Sequence, residues 1–125
     1  MSVTVSHKKF SLKLHELGFY QLDIFNHVEV GIEDVKMIVA AQRKLSGEKM
    51  PVLAICAEFA STNSDVMRYI SKNENFPYSK AGAFVIKSMA QKLLANFYLK
   101  INVPQRPTKF FNSKEEAEKW LQQFK

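Results

Sequence analysis

Cysteine and glycine are both scarce in this sequence of 125 residues. The one cysteine, Cys56, excludes a disulfide framework or a cysteine-built metal site within the chain. The four glycines, Gly18, Gly31, Gly47 and Gly82, are too far apart to form a Walker loop or the GxGxxG turn of a dinucleotide-binding domain. The sequence therefore gives no support for a nucleotide-dependent enzyme, and we expect no cofactor.

Long apolar runs are also absent. No run approaches the length of a membrane-spanning helix, and the first ten residues, MSVTVSHKKF, lack the apolar core of a signal peptide. Hydrophobic residues make up 46% of the chain and charged residues 24%, the balance of an ordinary soluble globular domain. The length suffices for one sizeable core and not for two. We therefore expect one domain over residues 1–125, located in the cytoplasm.

Acidic residues are missing from residues 75–114, where seven of the 18 basic residues lie. The other 11 basic residues are balanced by 12 acidic ones, so the net charge of +6 originates in this one segment. An unbalanced positive field favours anionic partners such as phosphate groups, acidic protein surfaces, nucleic acid or anionic lipid. The alternative is that these basic side chains only solvate the surface.

The first half of the chain predicts a hairpin, a helix and a buried strand. Residues 10–15 (FSLKLH) alternate apolar with polar side chains, and a second strand, LGFYQLDIF, follows at the turn marked by Gly18. Residues 32–45 have helical spacing. The continuous apolar run at 51–57 (PVLAICA) is typical of a strand buried on both faces, in which Cys56 is interpreted as a core residue.

The second half alternates helices with strands. A helix follows the N-cap-rich segment ASTNSD, and a second buried strand follows at 81–86 (AGAFVI). Ser88 and Gln91 predict a capping box that begins the clearest helix of the chain, with apolar side chains over three turns. A short strand, TKFF, and a last helix from Ser113 complete the order ββαβαβαβα. This order predicts an α/β fold with an N-terminal hairpin, a largely parallel sheet and four helices.

The core residues expected from these patterns come from two buried strands and two helices. They are Leu53, Ile55, Phe84, Ile86, Leu94, Phe97 and Trp120.

Two segments carry a family resemblance, NFYLKINVPQRPTKFFNSKEEAEKWL (96–121) and the strand-to-loop step AICAEFASTNSD (54–65). Together with the order of elements, they resemble the STAS superfamily. More narrowly, they resemble SpoIIAA-like small bacterial domains, which are related to anti-sigma factor antagonists. The resemblance covers most of the chain, from about Tyr20 onward. It implies a non-enzymatic interaction and regulatory module of STAS type that binds a protein partner, and a homodimer is an open alternative.

STAS domains that antagonise anti-sigma factors are phosphorylated on a serine at the start of the helix after the central strand. By position, the resemblance places that site on Ser61, Thr62 and Ser64. The acceptor motif Asp-Ser-Ser-Gly is absent, since no glycine follows these hydroxyls and Asp65 comes after them. The alternative interpretation is that Thr62 or Ser64 only caps the helix.

No catalytic or metal-binding arrangement can be read from the sequence. His7, His15 and His27 are dispersed, and His7 and His27 could meet only across the hairpin, with no acid or thiolate evident beside them. The glutamates that begin the last helix are explained by its dipole. An enzyme needs a nucleophile or base held by a second group, and we expect neither catalysis nor a metal site.

The predicted contact site lies in the acid-free segment. Lys92, Asn96 and Lys100 are each one helical turn apart, with Leu99 among them, and Arg106 follows within the proline-bracketed turn PQRP. We expect these side chains to face solvent together and to contact an anionic partner. Nucleic acid is disfavoured, because no aromatic platform alternates with the basic residues. The second functional hypothesis is a carrier or sensor of a small anionic or lipid-like ligand, which a pocket in the core would favour.

Overall fold

The computed structural model describes residues 3–125 as six strands and four helices. The strands are β1 (Thr4–Ser6), β2 (Phe10–His15), β3 (Phe19–Ile24), β4 (Met50–Cys56), β5 (Ser79–Val85) and β6 (Thr108–Phe111). The helices are α1 (Ile32–Leu45), α2 (Ser64–Ile70), α3 (Met89–Ile101) and α4 (Lys114–Leu121). Short 3-10 turns follow α2 at Asn73–Asn75 and α4 at Gln122–Phe124.

All six strands belong to one sheet, and their spatial order is the same as their order in the chain. The pairs β1–β2 and β2–β3 are antiparallel, while β3, β4, β5 and β6 run parallel. The predicted α/β fold, with its hairpin, parallel strands and four helices, is confirmed. The structure adds β1, a three-residue strand that the sequence pattern did not indicate.

Three helices cover one face of the sheet. Parallel strands that are added steadily in one direction by right-handed crossovers place every crossover helix on the same side. Accordingly, α1 and α2 pack on a core that includes Leu22, Ala54 and Ile38, and α3 lies over the same face. This face therefore holds the larger of the two hydrophobic clusters.

The opposite face is covered more thinly. Among the described residues, α4 is the one helix packed there, with Ala117 and Leu121 against Phe19 and Leu53. Elsewhere on this face the sheet carries polar side chains, and Gln21 donates a hydrogen bond to Asp23 (3.2 Å). The C-terminal helix thus closes a cluster that no crossover helix reaches.

The predicted core is partly wrong. Leu53 and Ile86 are buried, and Ile55, Phe84 and Trp120 are half-buried. Leu94 and Phe97, in contrast, are 50% and 55% exposed.

The reason for this error is the rotation of α3 about its own axis. Ala95 is its buried residue, and Gln91, Tyr98 and Asn102 join Ala95 in facing the sheet. The larger apolar side chains therefore point sideways or outward.

Docking of α4 can be tested by shortening Leu121, which is fully buried. We expect Leu121→Ala to lower the free energy of unfolding by about 2–5 kcal/mol, because it leaves a cavity beneath α4. The exposed Lys119→Ala should change it by less than about 0.5 kcal/mol. Urea unfolding of both variants measures the difference, and equal midpoints would contradict the packing of α4 on the sheet.

Candidate functional site

A cavity of about 190 Å³ lies between the sheet and the three crossover helices. Its floor is formed by β3, β4, β5 and β6, and its walls include Val35 of α1, Val66 of α2 and Tyr98 of α3. Most of the lining is aliphatic or aromatic. The cavity thus occupies the centre of the larger hydrophobic cluster.

Small residues on facing elements account for this space. Ala54 and Gly82 lie in the floor of the cavity. Ala95 is the residue of α3 that is buried on the opposite side of it. A Cβ atom at Gly82 would make an ordinary contact, 3.4 Å, with the Phe84 ring. The cavity therefore exists because the helix and the sheet meet through residues too short to fill the gap.

The start of α3 is tied to the loop between β4 and α2. The predicted capping box is present, with Ser88 Oγ accepting from Gln91 N (3.1 Å) and Gln91 Oε1 accepting from Ser88 N (3.1 Å). The side-chain nitrogen of Gln91, Nε2, also donates to the backbone carbonyls of Ala57 (2.8 Å) and Ala60 (3.3 Å). One side chain therefore caps the helix and anchors it to its neighbour.

The proline-bracketed turn after α3 is tied to the segment that follows α2. Gln105 N donates to Ser71 O (2.9 Å), and Asn73 N donates to Gln105 Oε1 (2.7 Å). Gly82 N donates to Pro107 O (2.9 Å), which joins the turn to β5. These hydrogen bonds therefore fix the turn, and the turn holds the C-terminal end of α3.

The prediction that Arg106 faces solvent beside the lysines of α3 is wrong. The residue is 9% exposed, its guanidinium carbon lies 5.3 Å from the centroid of the Phe76 ring, and Nη2 donates to Lys72 O (3.3 Å). The prolines and the bonds of Gln105 turn the chain inward at this point. As a result, Arg106 lines the cavity instead of joining the surface.

Two donors that line the cavity have no hydrogen-bond partner among residues 3–125. They are the buried atoms Arg106 Nε and Asn102 Nδ2. Burial lowers the pKa of the Arg106 guanidinium from its usual value. Among the described residues, none that lines the cavity is Asp, Glu, His or Lys, and no ion pair includes Arg106.

The rest of the predicted contact site lies on the outside of α3. Lys92, Asn96 and Lys100 are exposed on one side of the helix, and Leu99 is half-buried next to them. The structure thus brings together four of the five predicted residues, three of them exposed, and separates Arg106 from them. Binding of an anionic partner there stays a prediction.

An apolar stripe runs along α3 beside these lysines. Leu93, Leu94, Phe97 and Ile101 are 65%, 50%, 55% and 54% exposed. The sequence pattern predicts that two of these side chains, Leu94 and Phe97, lie in the core. The helix therefore presents apolar residues to solvent while a small alanine faces the sheet.

The three hydroxyl residues proposed as phosphate acceptors differ in their surroundings. Thr62 Oγ1 donates to Val30 O (2.9 Å), whereas Ser61 is exposed and Ser64 is half-buried. Neither Thr62 nor Ser64 caps α2, because Asn63 Oδ1 accepts from Val66 N (3.0 Å) in that role. Phosphorylation of these residues stays a prediction.

The three histidines lie apart. His7 stacks on Phe10 with ring centroids 4.6 Å apart, and His27 stacks on Phe59 at 5.2 Å. His15 Nε2 lies 2.5 Å from Glu118 Oε2, a contact between β2 and α4 that spacing along the chain could not reveal. Within residues 3–125, no group of three or more His, Cys, Asp or Glu side chains is arranged to hold a metal ion.

Comparison with known proteins identifies a family and a fold. The family model described as "Domain of unknown function (DUF7793)" matches residues 16–125. No curated protein matches the chain. Within the described residues, no helix has the length and apolar character needed to cross a membrane.

A solved structure with a similar fold is an uncharacterised protein of the DUF3478 family, with a SpoIIAA-like fold, from Shewanella loihica PV-4. The two share 13% sequence identity and a TM-score of 0.51, over 97% of this chain and 92% of the other. At this identity the likeness shows the fold alone. It confirms the predicted SpoIIAA-like fold.

Cys56 lines the cavity, where its thiol stays in the less reactive protonated form. Although the residue as a whole is half-buried, burial raises the pKa of its thiol to about 12. The thiolate is the reactive form, so the folded protein holds very little of it at neutral pH. This agrees with the interpretation of Cys56 as a core residue.

We expect Cys56 to react with a disulfide reagent at about pH 8 at least tenfold more slowly in the folded protein than in concentrated urea. The smaller thiolate fraction outweighs the greater nucleophilicity of a thiolate with a high pKa. A Cys56→Ser/Ser61→Cys variant is the control, since its thiol lies at an exposed position and should react quickly in both states. Equal rates for Cys56 in both states would contradict its burial.

Proposed function

We propose that this chain, which belongs to the DUF7793 family, binds a small apolar or lipid-like molecule in the cavity beneath α3. The observation that carries the proposal is the unfilled apolar volume of about 190 Å³ at the centre of the core. Protein interiors are close-packed, and an engineered apolar cavity of roughly 150 Å³ is large enough to bind benzene. The volume suits a short acyl chain or a single ring.

The energetics support a role for the cavity. The cavity is partly open to solvent, and its apolar lining lacks the contacts that a packed core would supply. An apolar ligand would restore contacts along this lining and remove its apolar surface from water.

The chemistry of the lining favours binding over catalysis. Among the described residues, Cys56 carries the one thiol, and burial keeps it protonated. The part of the chain that the structure describes places no carboxylate or imidazole in the cavity lining to act as a general base. The proposed role is therefore that of a carrier or sensor that holds its ligand without changing it.

The attachment of α3 indicates how a ligand would enter. The helix is tied through Gln91 at its start and through the Gln105–Arg106 turn after its end, while Ala95 provides the buried contact in its middle. Few buried apolar contacts mark the segments that open most easily. We propose that an outward movement of the middle of α3 admits the ligand.

A cavity-filling substitution tests this proposal with 1-octanol as an uncharged probe. Ala95→Leu should weaken octanol binding at least tenfold, because the larger side chain occupies the cavity. The same substitution at Ala90, which is exposed on the same helix and does not line the cavity, is the matched control. Chemical-shift titration of the labelled protein gives both affinities.

Thermal unfolding completes this test. Octanol should raise the melting temperature of the wild type and of Ala90→Leu, since a ligand that binds only the folded state stabilises it. Ala95→Leu alone should unfold at or above the wild-type temperature, as a cavity-filling change does. No octanol binding by the wild type, or equal binding by both variants, would reject the cavity as a ligand site.

A second candidate function is supported by the exposed stripe on α3. Leu93, Phe97 and Ile101 form an apolar surface beside Lys92 and Lys100. Such a surface complements an amphipathic segment of a protein partner whose apolar residues are flanked by acidic ones. This is the interaction module that the STAS-type fold suggests.

Reversing the charge of two exposed lysines on α3 tests this contact without destabilising the fold. We expect Lys92→Glu/Lys100→Glu to retain the wild-type melting temperature, because both side chains are exposed, and to lose a partner that the wild type captures in a salt-dependent manner. Lys36→Glu/Lys44→Glu on the exposed part of α1 is the control with the same charge change. Equal capture of the partner by the two double variants would contradict a contact through α3. A dimer in sedimentation analysis would identify a second copy of this chain as the partner.

A further inference from the structure

We infer that the ligand of the cavity carries one negatively charged head group, of the carboxylate class, which binds to Arg106 and Asn102. This inference rests on the proposed function and specifies the chemistry of one end of the same site. It makes the ligand an amphiphile, with an apolar tail under α3 and a monoanionic head at the proline-bracketed turn.

The first argument is the charge of Arg106. A guanidinium removed from water is costly unless an anion and hydrogen bonds compensate it. Within residues 3–125, the partners of this side chain are a carbonyl oxygen, Lys72 O, and the face of the Phe76 ring. Neither carries a negative charge, so among the described residues this largely buried guanidinium has no counter-ion.

The second argument is the pair of unused donors. Arg106 Nε and Asn102 Nδ2 are both buried without an acceptor in the protein, and both residues line the same cavity. Buried donors are nearly always hydrogen-bonded in folded proteins. A carboxylate supplies acceptor oxygens for both, and the planar fork of arginine suits its geometry.

The third argument limits the charge of the head group. Arg106 is the one basic residue among the described residues that line the cavity. One positive charge is balanced by one negative charge. A dianionic phosphate ester would keep an uncompensated charge in an apolar site, which disfavours it.

The test compares octanoate with 1-octanol, which has the same number of carbon atoms and an uncharged head. The wild type should bind octanoate at least tenfold more tightly than octanol at neutral pH. Octyl phosphate should bind more weakly than octanoate. Isothermal titration and chemical-shift titration give the dissociation constants.

Arg106→Met removes the charge and keeps an unbranched side chain. It should weaken octanoate binding at least tenfold while leaving octanol binding within about threefold of the wild type, and Arg106→Lys should restore part of the octanoate affinity. Arg68→Met is the control, since Arg68 is exposed on α2 and the change in net charge is the same. Its octanoate affinity should equal that of the wild type.

The outcomes separate the two proposals. If the wild type binds octanol as tightly as octanoate, or octyl phosphate more tightly than octanoate, the monoanionic head group is rejected and the apolar cavity site stands. If the wild type binds neither octanol nor octanoate, the proposed function itself fails. Should Arg106→Met not fold, the wild-type affinities together with Arg106→Lys decide the question.

Discussion

The one-directional advance of the four parallel strands is the constraint on which the rest of the structure depends. Because right-handed crossovers then place α1, α2 and α3 on a single face, the opposite face is left to α4 and to polar side chains. Three helices share one side of the sheet, and Ala95 is the buried residue of the last of them, α3. The cavity, the buried arginine and the exposed stripe all follow from this arrangement.

The orientation of α3 reverses the usual arrangement of an amphipathic helix. Short side chains at Ala95 and at Gly82 of the sheet face each other, while Phe97 and Ile101 point away from the core. A helix optimised only for stability would turn its large apolar residues inward. The inner side of α3 therefore suits a ligand, the outer side suits a partner, and a movement of the helix would connect the two.

The positive charge of the acid-free segment is divided between two environments. Lys92 and Lys100 remain in water, where each charge is screened by salt and contributes little to stability. Arg106 is held inside by its contact with Phe76 and by the bonds of Gln105 to the segment after α2. Charge that looks uniform along the sequence is thus exposed to solvent in one place and largely buried in the other.

The sequence by itself determined the features that depend on near neighbours along the chain. The hairpin, the alternation of strands and helices and the Ser88–Gln91 capping box all follow from local periodicity and local hydrogen bonds, and these agree with the structure. Sequence also located the segment that carries both candidate sites, because the absence of acidic residues there is a matter of composition.

Only the tertiary structure decided which side of α3 faces the sheet, where Arg106 points and whether the core is filled. Apolar residues occur on more than one side of α3, so their spacing did not fix its rotation. The position of Arg106 depends on Phe76 and Lys72, about thirty residues away in the chain. The size of a cavity depends on how well side chains from separate elements fill the space between them. Those side chains come together only when the chain has folded.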